Sequence, residues 1–486
     1  MVFSLFPLDP DADTPLYVQL RDGLKDAIHA GRFPPGRALP SSRQLADDLG
    51  VSRNTVNAAY HDLEAEGFLD AEPRRGYFVD REAHETLVAQ PPPPLLGRFD
   101  WERRLGDHPT ARLTHIDKTP SWPAYPYHFL AGQPDLSVFP VRAWVRALRD
   151  ASQPEHLSAS LMDAQASDDP RLLEAICEHV LPSRGIQARA ENVLVTLGSQ
   201  SALDLVARTL VGAGTTVAFE EPGYVDARNI LHLAGATVQP VRVDPSGLCV
   251  TDALPRTDLV YVTPSHQYPT NVTLSIGRRR RLLALAAERG SIILEDDYDS
   301  EFRYRGSPTV ALKALDDREQ VVYMGSFSKL LAPGLRLGYV VGAPELISQL
   351  RLRARYAYRH PPGILQRALA LFIANGQFGR HVRRLRTHYR QKWELITAVV
   401  ADRFTWREHD FPPGGMSVWV TGPDGLDATD LASTLAPQGV LIEPGRVCYA
   451  SADAPTNRFK LGFAAIPAER IAPGVQLIAR AIERAC

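Results

Sequence analysis

The stretch Ile-Ile-Leu-Glu-Asp-Asp-Tyr-Asp, residues 292–299, is the most informative for the fold class of this 486-residue chain. Its three apolar residues form a short strand, and acidic residues follow at once. Helical runs such as residues 201–210 and 282–289 separate this strand from others like it. The other predicted strands are residues 193–196, 216–219, 259–262 and 321–324. This alternation predicts an α/β fold with a mainly parallel central sheet.

The acidic residues after this strand form a candidate site. Glu295, Asp296, Asp297 and Asp299 would repel one another unless a cation or a protonated base lay nearby. Parallel sheets bind ligands beyond the carboxyl ends of their strands, where these acids lie. A divalent metal is one candidate. The other is a pyridinium nitrogen, which a neighbouring carboxylate keeps protonated. Lysine, arginine and hydroxyl motifs elsewhere in the chain favour the pyridinium.

Lys329 ends the motif Gly-Ser-Phe-Ser-Lys, residues 325–329, which follows the strand at 321–324. A partly desolvated lysine near other cations becomes a neutral nucleophile and can form a Schiff base. Arg336, seven residues later, is a candidate phosphate clamp. The plainer alternative is a solvated loop lysine. Ser326 and Lys329 also form the S-x-x-K pair of serine acyl-transfer enzymes, but the sequence lacks the partner motifs S-D-N and K-T-G.

Two weaker motifs also follow strands. Ser199 and Gln200 open a helix after the strand that ends at Thr196. Backbone N–H groups at a helix N-terminus bind phosphate, although an ordinary helix cap explains the pair equally well. Tyr224 follows the strand at 216–219, where its ring could stack on a bound ring or pack in the core.

The first 80 residues have the pattern of a winged helix-turn-helix. Apolar residues every four positions predict a helix over residues 16–28, and Ser41, Ser42 and Ser52 can cap two more helices. Residues 68–71 and 76–79 predict a hairpin with arginines near its tip. Arginine and asparagine bind base edges, whereas serine and threonine bind phosphate or base. The predicted DNA contacts are Arg43, Ser52, Arg53, Asn54, Thr55, Asn57, Arg74 and Arg75.

The charge of the chain allows only a local DNA-binding surface. Lys and Arg number 54 against 56 Asp and Glu, which excludes a polycation. The first 80 residues hold 8 Lys and Arg against 13 Asp and Glu, a net of −5. The acids would therefore have to lie away from the DNA. A three-helix dimerisation or docking module is the alternative.

Four consecutive prolines at residues 91–94 predict a stiff, extended linker. We predict a DNA-binding domain over 1–80, a linker over 81–126 and an α/β domain over 127–486. The four cysteines form no C-x-x-C pair, so neither a zinc site nor a disulfide framework is indicated. The sequence shows no signal peptide and no apolar run of the roughly 18 residues that a membrane span requires. We expect a soluble, cytoplasmic protein.

The first piece resembles the GntR-type winged helix. The resemblance rests on Leu-Pro-Ser-Ser-Arg-Gln-Leu-Ala at 39–46, on Val-Ser-Arg-Asn-Thr-Val at 51–56 and on Tyr60-x-x-Leu63-x-x-x-Gly67.

The large piece resembles the fold-type I pyridoxal phosphate (PLP) enzymes, which have the aminotransferase fold. The resemblance implies that Lys329 is the Schiff-base lysine, Asp296 the partner of the pyridine nitrogen, Tyr298 the donor to the ring hydroxyl and Tyr224 the stacking aromatic. It assigns Ser199, Gln200, Ser326 and Arg336 to the phosphate, and Arg458 to an effector's carboxylate. The aminotransferase motif Asn-Pro-Thr-Gly is replaced by His-Gln-Tyr-Pro-Thr-Asn at 266–271, and His266 is the candidate substitute for the missing asparagine.

Together the two pieces resemble the MocR subfamily of GntR regulators. The resemblance implies a bacterial transcription factor that is a head-to-tail homodimer and binds promoter DNA. It also implies a PLP-bearing domain that senses PLP, an amino compound or both through an aldimine at Lys329. The competing classes are an aminotransferase with an accessory domain and a PLP-storage or docking protein. The basic run Arg278–Arg281 is interpreted as a solvated helix surface.

Overall fold

The computed structural model describes most of the chain, namely residues 8–73, 75–80, 99–106, 110, 113–116, 119–163, 167–307 and 309–485. The chain divides into two units, residues 1–107 and 108–486. That division falls inside the predicted linker 81–126, of which residues 81–98 lie outside the described residues. In the described part of the chain no helix is long and apolar enough to span a membrane.

The first unit contains three helices followed by a small hairpin. Its elements are α1 (Leu16–His29), α2 (Ser42–Leu49), α3 (Arg53–Ala65), β1 (Leu69–Glu72), β2 (Gly76–Val79) and the short helix α4 (Trp101–Leu105). β1 and β2 pair antiparallel. Leu20, Leu24 and Ile28 of α1 are fully buried in one core with Val56 and Leu63 of α3. The predicted winged helix-turn-helix is confirmed.

The second unit is built on an eight-stranded sheet of order β4-β11-β10-β9-β8-β5-β6-β7. The run from β10 to β6 is parallel, while β11 and β7 are antiparallel to their neighbours. A second sheet has the order β12-β15-β14, and β13 pairs with β3. The strands are β3 (Tyr127–His128), β4 (Val193–Thr196), β5 (Thr216–Glu221), β6 (Thr237–Asp244), β7 (Gly247–Leu248), β8 (Leu259–Val262), β9 (Ile292–Asp297), β10 (Val321–Ser326), β11 (Gly338–Val341), β12 (Ser417–Thr421), β13 (Val440–Leu441), β14 (Glu443–Pro444) and β15 (Arg458–Gly462).

Helices cover the large sheet, as the alternating pattern predicts. The helices of the second unit, within the described residues, are α5 (Val141–Ala151), α6 (Pro154–Leu161), α7 (Pro170–Ala175), α8 (Gly198–Leu210), α9 (Val225–Leu233), α10 (Ile276–Arg289), α11 (Pro344–Ala357), α12 (Gly363–Ala374), α13 (Gln377–Arg403), α14 (Ala428–Leu435) and α15 (Ala468–Ala485). The predicted mainly parallel α/β fold is confirmed.

Three of the predicted strands are longer than their apolar runs. β5 continues through Glu221, β9 through Asp297 and β10 through Ser326. Some of the polar residues that we placed after the strands are therefore their last residues, namely Glu295, Asp296, Asp297 and Ser326. Backbone pairing continues because Met324 and Gly325 lie opposite Asp296 and Asp297. The acidic stretch is thus held by the sheet itself.

The interpretation of the basic run as a solvated surface is wrong for Arg279 and holds only in part for Arg278, whereas Arg280 and Arg281 are exposed. Arg278 donates to Asp244, and Arg281 pairs with Asp252. Arg279 is fully buried and donates to three backbone carbonyl groups. Buried guanidinium groups need such acceptors, so these arginines fasten α10 to the neighbouring loops.

Candidate functional site

A cavity of about 470 Å³ lies at the carboxyl ends of the parallel strands. The residues that line it come from parts of the chain as far apart as Gly132 and Lys460. Eight of the nine residues predicted to bind a cofactor are among them, and only His266 is not. These eight are Ser199, Gln200, Tyr224, Asp296, Tyr298, Ser326, Lys329 and Arg336.

Lys329 faces a backbone segment that sequence reasoning did not select. Its Nζ donates to the carbonyl oxygen of Gly132 at 2.5 Å. Gly132 has a φ of +77°, and a Cβ there would lie 2.8 Å from that Nζ. A residue with a side chain would therefore be strained and would crowd the amine. Gly132 makes the room in which the lysine side chain ends.

Asp296 has one bonded and one unbonded carboxylate oxygen. Its Oδ2 accepts from the Tyr261 hydroxyl at 2.7 Å. Its Oδ1 is buried and has no hydrogen-bond partner among the described residues. Burial raises the pKa of Asp296 to about 6. A protonated ring nitrogen would satisfy the unbonded oxygen and favour the ionised carboxylate, so the residue fits the predicted pyridinium.

The neighbouring acids have partners of their own. Glu295 accepts from the backbone N–H groups of Leu312 and Lys313, each at 2.8 Å, and burial raises its pKa to about 7. Asp297 accepts from Arg184 at 2.8 Å. Within the described residues no group of three or more His, Cys, Asp or Glu side chains could hold a metal ion.

Another part of the cavity lining has the features of a phosphate site. Ser199 and Gln200 lie in the first turn of α8. The preceding Gly198 has a φ of +80°, and a Cβ there would lie 3.3 Å from the guanidinium of Arg336. Arg336 is held in place because its Nη2 donates to the Leu197 carbonyl oxygen at 2.8 Å. Helix N–H groups and a guanidinium thus converge where a phosphate could bind.

Two tyrosines predicted to bind the cofactor also line the cavity. Tyr224 accepts a hydrogen bond from Gln200 at 2.6 Å and donates to Asp226 at 3.0 Å. Tyr298 lies beside Tyr268, with ring centroids 6.3 Å apart. Burial raises the pKa of Tyr298 well above its ordinary value. Its phenol therefore stays protonated and can donate a hydrogen bond into the cavity.

His266 is buried behind the cavity instead of lining it. Its Nδ1 lies 2.9 Å from Asp299 Oδ1, and Asp299 does line the cavity. From the same loop, Tyr268 and Asn271 reach the cavity. Sequence reasoning did not select either residue, since an aromatic ring and a loop amide carry no specific signal of their own. A role for His266 toward the cofactor stays a prediction, and it would act through Asp299.

Arg458 and Lys460 lie on the same strand, β15, but only Lys460 lines the cavity. Arg458 Nη1 donates to Thr421 Oγ1 at 2.5 Å. Lys460 Nζ lies 3.6 Å from the centre of the Tyr268 ring and 3.8 Å from Glu443 Oε2. The effector-binding role of Arg458 stays a prediction. Strand alternation is the signal that could have drawn attention to Lys460, because residues i and i+2 share a face.

The predicted DNA contacts cluster at the start of α3. Ser52 caps the helix by accepting from the Thr55 N–H at 3.1 Å. The side chains of Arg53, Asn54 and Asn57 are exposed in the following turns. Arginine and asparagine side chains on the first turns of such a helix can reach base edges.

The remaining predicted contacts lie on α2 and the hairpin. Arg43 of α2 is exposed. Arg75 pairs with Glu72 and lies over the Phe78 ring at 5.2 Å, so DNA would have to compete with Glu72 for it. Arg74 lies outside the described residues.

Two acidic residues of this unit lie toward the other end of α3. Asp62 lies 3.8 Å from Arg21 of α1, and Glu66, which follows α3, pairs with Lys25. About nine residues separate Arg53 from Asp62, roughly 14 Å along a helix. The net negative charge of the first 80 residues is thus compatible with a local DNA-binding surface.

Comparison with known proteins places both units. Residues 16–79 match the bacterial regulatory proteins of the gntR family, and residues 128–478 match the aminotransferase class I and II family. The HTH-type transcriptional regulator TauR of Rhodobacter capsulatus is 40% identical over 98% of each chain. The probable rhizopine catabolism regulatory protein MocR of Rhizobium meliloti is 35% identical over 96% of this chain and 94% of that protein. The chain belongs to the MocR-type family of GntR transcriptional regulators.

The large unit of this MocR-type chain is also similar to solved enzymes. LysN, an α-aminoadipate aminotransferase from Thermus thermophilus, is 28% identical with a TM-score of 0.71, over 80% of this chain and 99% of LysN. That structure was solved in complex with N-(5′-phosphopyridoxyl)-L-leucine. The aminotransferase fold of the MocR-type chain is thereby shown.

Proposed function

We propose that this chain is a PLP-dependent regulator that binds promoter DNA through α3 and the hairpin. Its large unit senses PLP, an amino compound or both, and it acts in the cytoplasm as a head-to-tail homodimer. The observation that carries the proposal is one cavity lined by eight predicted cofactor residues, in a chain whose first unit is a winged helix-turn-helix. Light scattering of the purified chain tests the dimer.

The residues of the cavity fit PLP at each of its groups. The unbonded Oδ1 of Asp296 suits a protonated ring nitrogen, and the protonated Tyr298 phenol suits the ring hydroxyl. Lys329 supplies the amine. The phosphate would be held by Ser199, Gln200, Ser326 and Arg336. When bound, PLP supplies an aldehyde that condenses with amines and a ring that withdraws electrons.

The segment 113–116 supports a route from the cavity toward the DNA-binding unit. Ile116 lines the cavity, and the carbonyl oxygen of Thr114 accepts from Asn229 Nδ2 at 2.6 Å. Asn229 lies on α9, the helix that begins directly after Tyr224. The affinity of a ligand that contacts Ile116 or Tyr224 would depend on the position of this segment. A ligand shifts a conformational equilibrium only when its affinities for the two conformations differ in this way. We propose that the predicted linker carries the signal through this segment.

Borohydride reduction of the PLP-loaded chain, followed by peptide mass spectrometry, tests cofactor binding directly. The proposal expects the pyridoxyl mass on the peptide that contains Lys329, and the Lys25→Ala variant should be labelled equally. Labelling at other lysines alone, or no labelling, would overturn the proposed cofactor site.

A transaminase half-reaction is the second candidate function. Lys329, Asp296 and Tyr298 line one cavity, and together they would supply the residues that such a reaction needs. We propose that the domain serves sensing, and that such a reaction is at most residual. To distinguish sensing from transamination, the PLP-loaded chain is incubated with an amino acid and the keto acid that forms is measured. Repeated turnover would favour the enzyme, and a single equivalent or none would favour the sensor.

A further inference from the structure

One carboxylate in the lining of the cavity has no role in the proposed function. Among the residues that the structure describes, the acidic ones that line the cavity are Asp226, Asp296 and Asp299. Asp296 is the proposed partner of the ring nitrogen, and Asp299 Oδ1 lies 2.9 Å from His266 Nδ1. Asp226, in the first turn of α9, forms no ion pair with a lysine, arginine or histidine of the described chain. Its negative charge therefore has no cationic partner.

The Asp226 carboxylate is held against the part of the lining assigned to the phosphate. Its Oδ2 accepts from Gln200 Nε2 at 3.0 Å and from the Tyr224 hydroxyl at 3.0 Å. Gln200 Nε2 also donates to the Tyr224 oxygen at 2.6 Å, so the three side chains form a closed triangle of hydrogen bonds. Gln200 lies beside Ser199 in the first turn of α8. The triangle therefore fixes a negative charge one side chain away from the proposed phosphate ligands.

The same triangle occupies the side-chain donors of Gln200. A side-chain amide has two N–H groups, and those of Gln200 are directed to Tyr224 and Asp226. A phosphate at the start of α8 is then left with the backbone N–H groups of that turn. The triangle thus weakens phosphate binding in two ways, because it withdraws the amide donors and because it places a carboxylate beside a site for an anion.

The charge of Asp226 acts on other groups in the cavity. Burial raises the pKa of Tyr224 well above its ordinary value, and the charges of Asp226 and Asp296 raise it further. The phenol therefore keeps the proton that it donates to Asp226, and the triangle stays closed at neutral pH. Charges interact more strongly in a partly buried site than in water, so a phosphate group there is repelled by the same carboxylate.

We propose that Asp226 limits the affinity of the cavity for the phosphorylated form of the cofactor, so that occupancy follows the concentration of PLP. This inference rests on the proposed function, because it assumes that PLP binds with its phosphate at α8. Without such a limit, the helix N–H groups and the Arg336 guanidinium would hold the phosphate more tightly. A site that is filled at every PLP concentration cannot report on that concentration, whereas a site with moderate affinity can.

The test compares the affinities of the full chain for PLP and for pyridoxal, which share the ring and the aldehyde and differ in the phosphate. Fluorescence titration gives both dissociation constants, and the pyridoxal value divided by the PLP value reports the contribution of the phosphate alone. In the Asp226→Asn variant the side-chain oxygen can still accept from Tyr224, but the charge is absent. We expect this quotient to rise about 5- to 30-fold in the variant, because a repulsion between two charges is removed.

Inorganic phosphate is the second probe, measured as a competitor of PLP. It carries the anionic group without the ring, so it should compete with PLP for the phosphate site more strongly in Asp226→Asn than in the unsubstituted chain. This measurement does not depend on how tightly pyridoxal binds.

Two control variants keep the test decisive. Asp226→Glu retains the charge and should keep most of the discrimination against the phosphate. Asp424→Asn removes a charge from an exposed position outside the cavity lining and should leave the quotient unchanged. An unchanged or lower quotient in Asp226→Asn, or an equal rise in Asp424→Asn, would overturn the role of Asp226. Failure of the unsubstituted chain to bind PLP at all would instead refute the proposed function.

Discussion

The DNA-contacting turns of α3 and the cofactor cavity are assembled in opposite ways. Ser52, Arg53, Asn54 and Asn57 lie within six residues of one another, and a local cap between Ser52 and Thr55 orients the helix start. In the cavity, Lys329 contacts Gly132, 197 positions away in the sequence. The predicted base contacts therefore depend on one helix, while the cavity depends on the whole α/β unit. Substitutions in the two regions should have separable consequences.

The largest effect that separates the regions is expected at Lys329. In the Lys329→Ala variant the amine that reacts with the PLP aldehyde is absent, so covalently held cofactor should be lost completely. The absorption spectrum after exhaustive dialysis measures this. The circular dichroism spectrum of the Lys329→Ala variant should match that of the unsubstituted chain, because the deleted side chain ends in the cavity. Full retention of PLP would contradict the assignment of Lys329.

Substitution of Arg53 should affect DNA binding without affecting the cavity. Arg53→Ala should weaken binding to the preferred DNA sequence by about 1–3 kcal/mol and relax specificity at one base position. PLP binding should not change. Arg43→Ala is the matched control, since a phosphate contact should weaken binding on all sequences and reduce the salt slope by about 1. An equal, sequence-independent loss in both variants would contradict base contact by Arg53.

Features that depend on contacts close in the sequence could be predicted from it, whereas features that depend on distant contacts could not. The caps at Ser41 and Ser52 and the strands β4 and β8 are local patterns, and each agrees with the structure. The lining role of Lys460 depends on how β15 packs beside the loop that holds Tyr268, and no local pattern encodes that contact. The burial of His266 behind Asp299 has the same origin. Residue types were sufficient to nominate a cofactor, but not to tell which of two cations on one strand faces the cavity.

The acidity of Asp296 predicts a pH effect confined to the cavity. Burial raises its pKa to about 6, so the carboxyl is ionised at pH 7 and mostly protonated at pH 5. PLP binding requires the ionised form, and affinity should therefore fall about tenfold from pH 7 to pH 5 through this group.

The Asp296→Asn variant separates this group from the cofactor's own ionisations. The variant should bind PLP more weakly at pH 7, and the ratio of the two dissociation constants should shrink toward pH 5. Fluorescence titration of PLP at several pH values measures the ratio. A ratio that does not depend on pH would refute the proposed pairing with the ring nitrogen.

The smallest effect is expected where the cavity meets the segment 113–116. Asn229→Ala removes one hydrogen bond to the Thr114 carbonyl oxygen, with a net contribution of about 0.5–1.5 kcal/mol. PLP affinity should change little, while the difference in DNA affinity between PLP-free and PLP-loaded chain should shrink by a few fold. DNA-binding titrations with and without PLP measure that difference. An unchanged difference would show that the segment does not carry the signal.

The most direct test of a PLP-responsive regulator is binding of the purified chain to the DNA upstream of its own gene. Binding is measured for the PLP-loaded chain and for Lys329→Ala over a range of salt concentrations, beside an unrelated DNA of equal length. We predict sequence-selective binding with a steep salt dependence, and an affinity that differs between the two forms. Weak binding that is equal on both DNAs and identical in both forms would contradict the account and favour the aminotransferase.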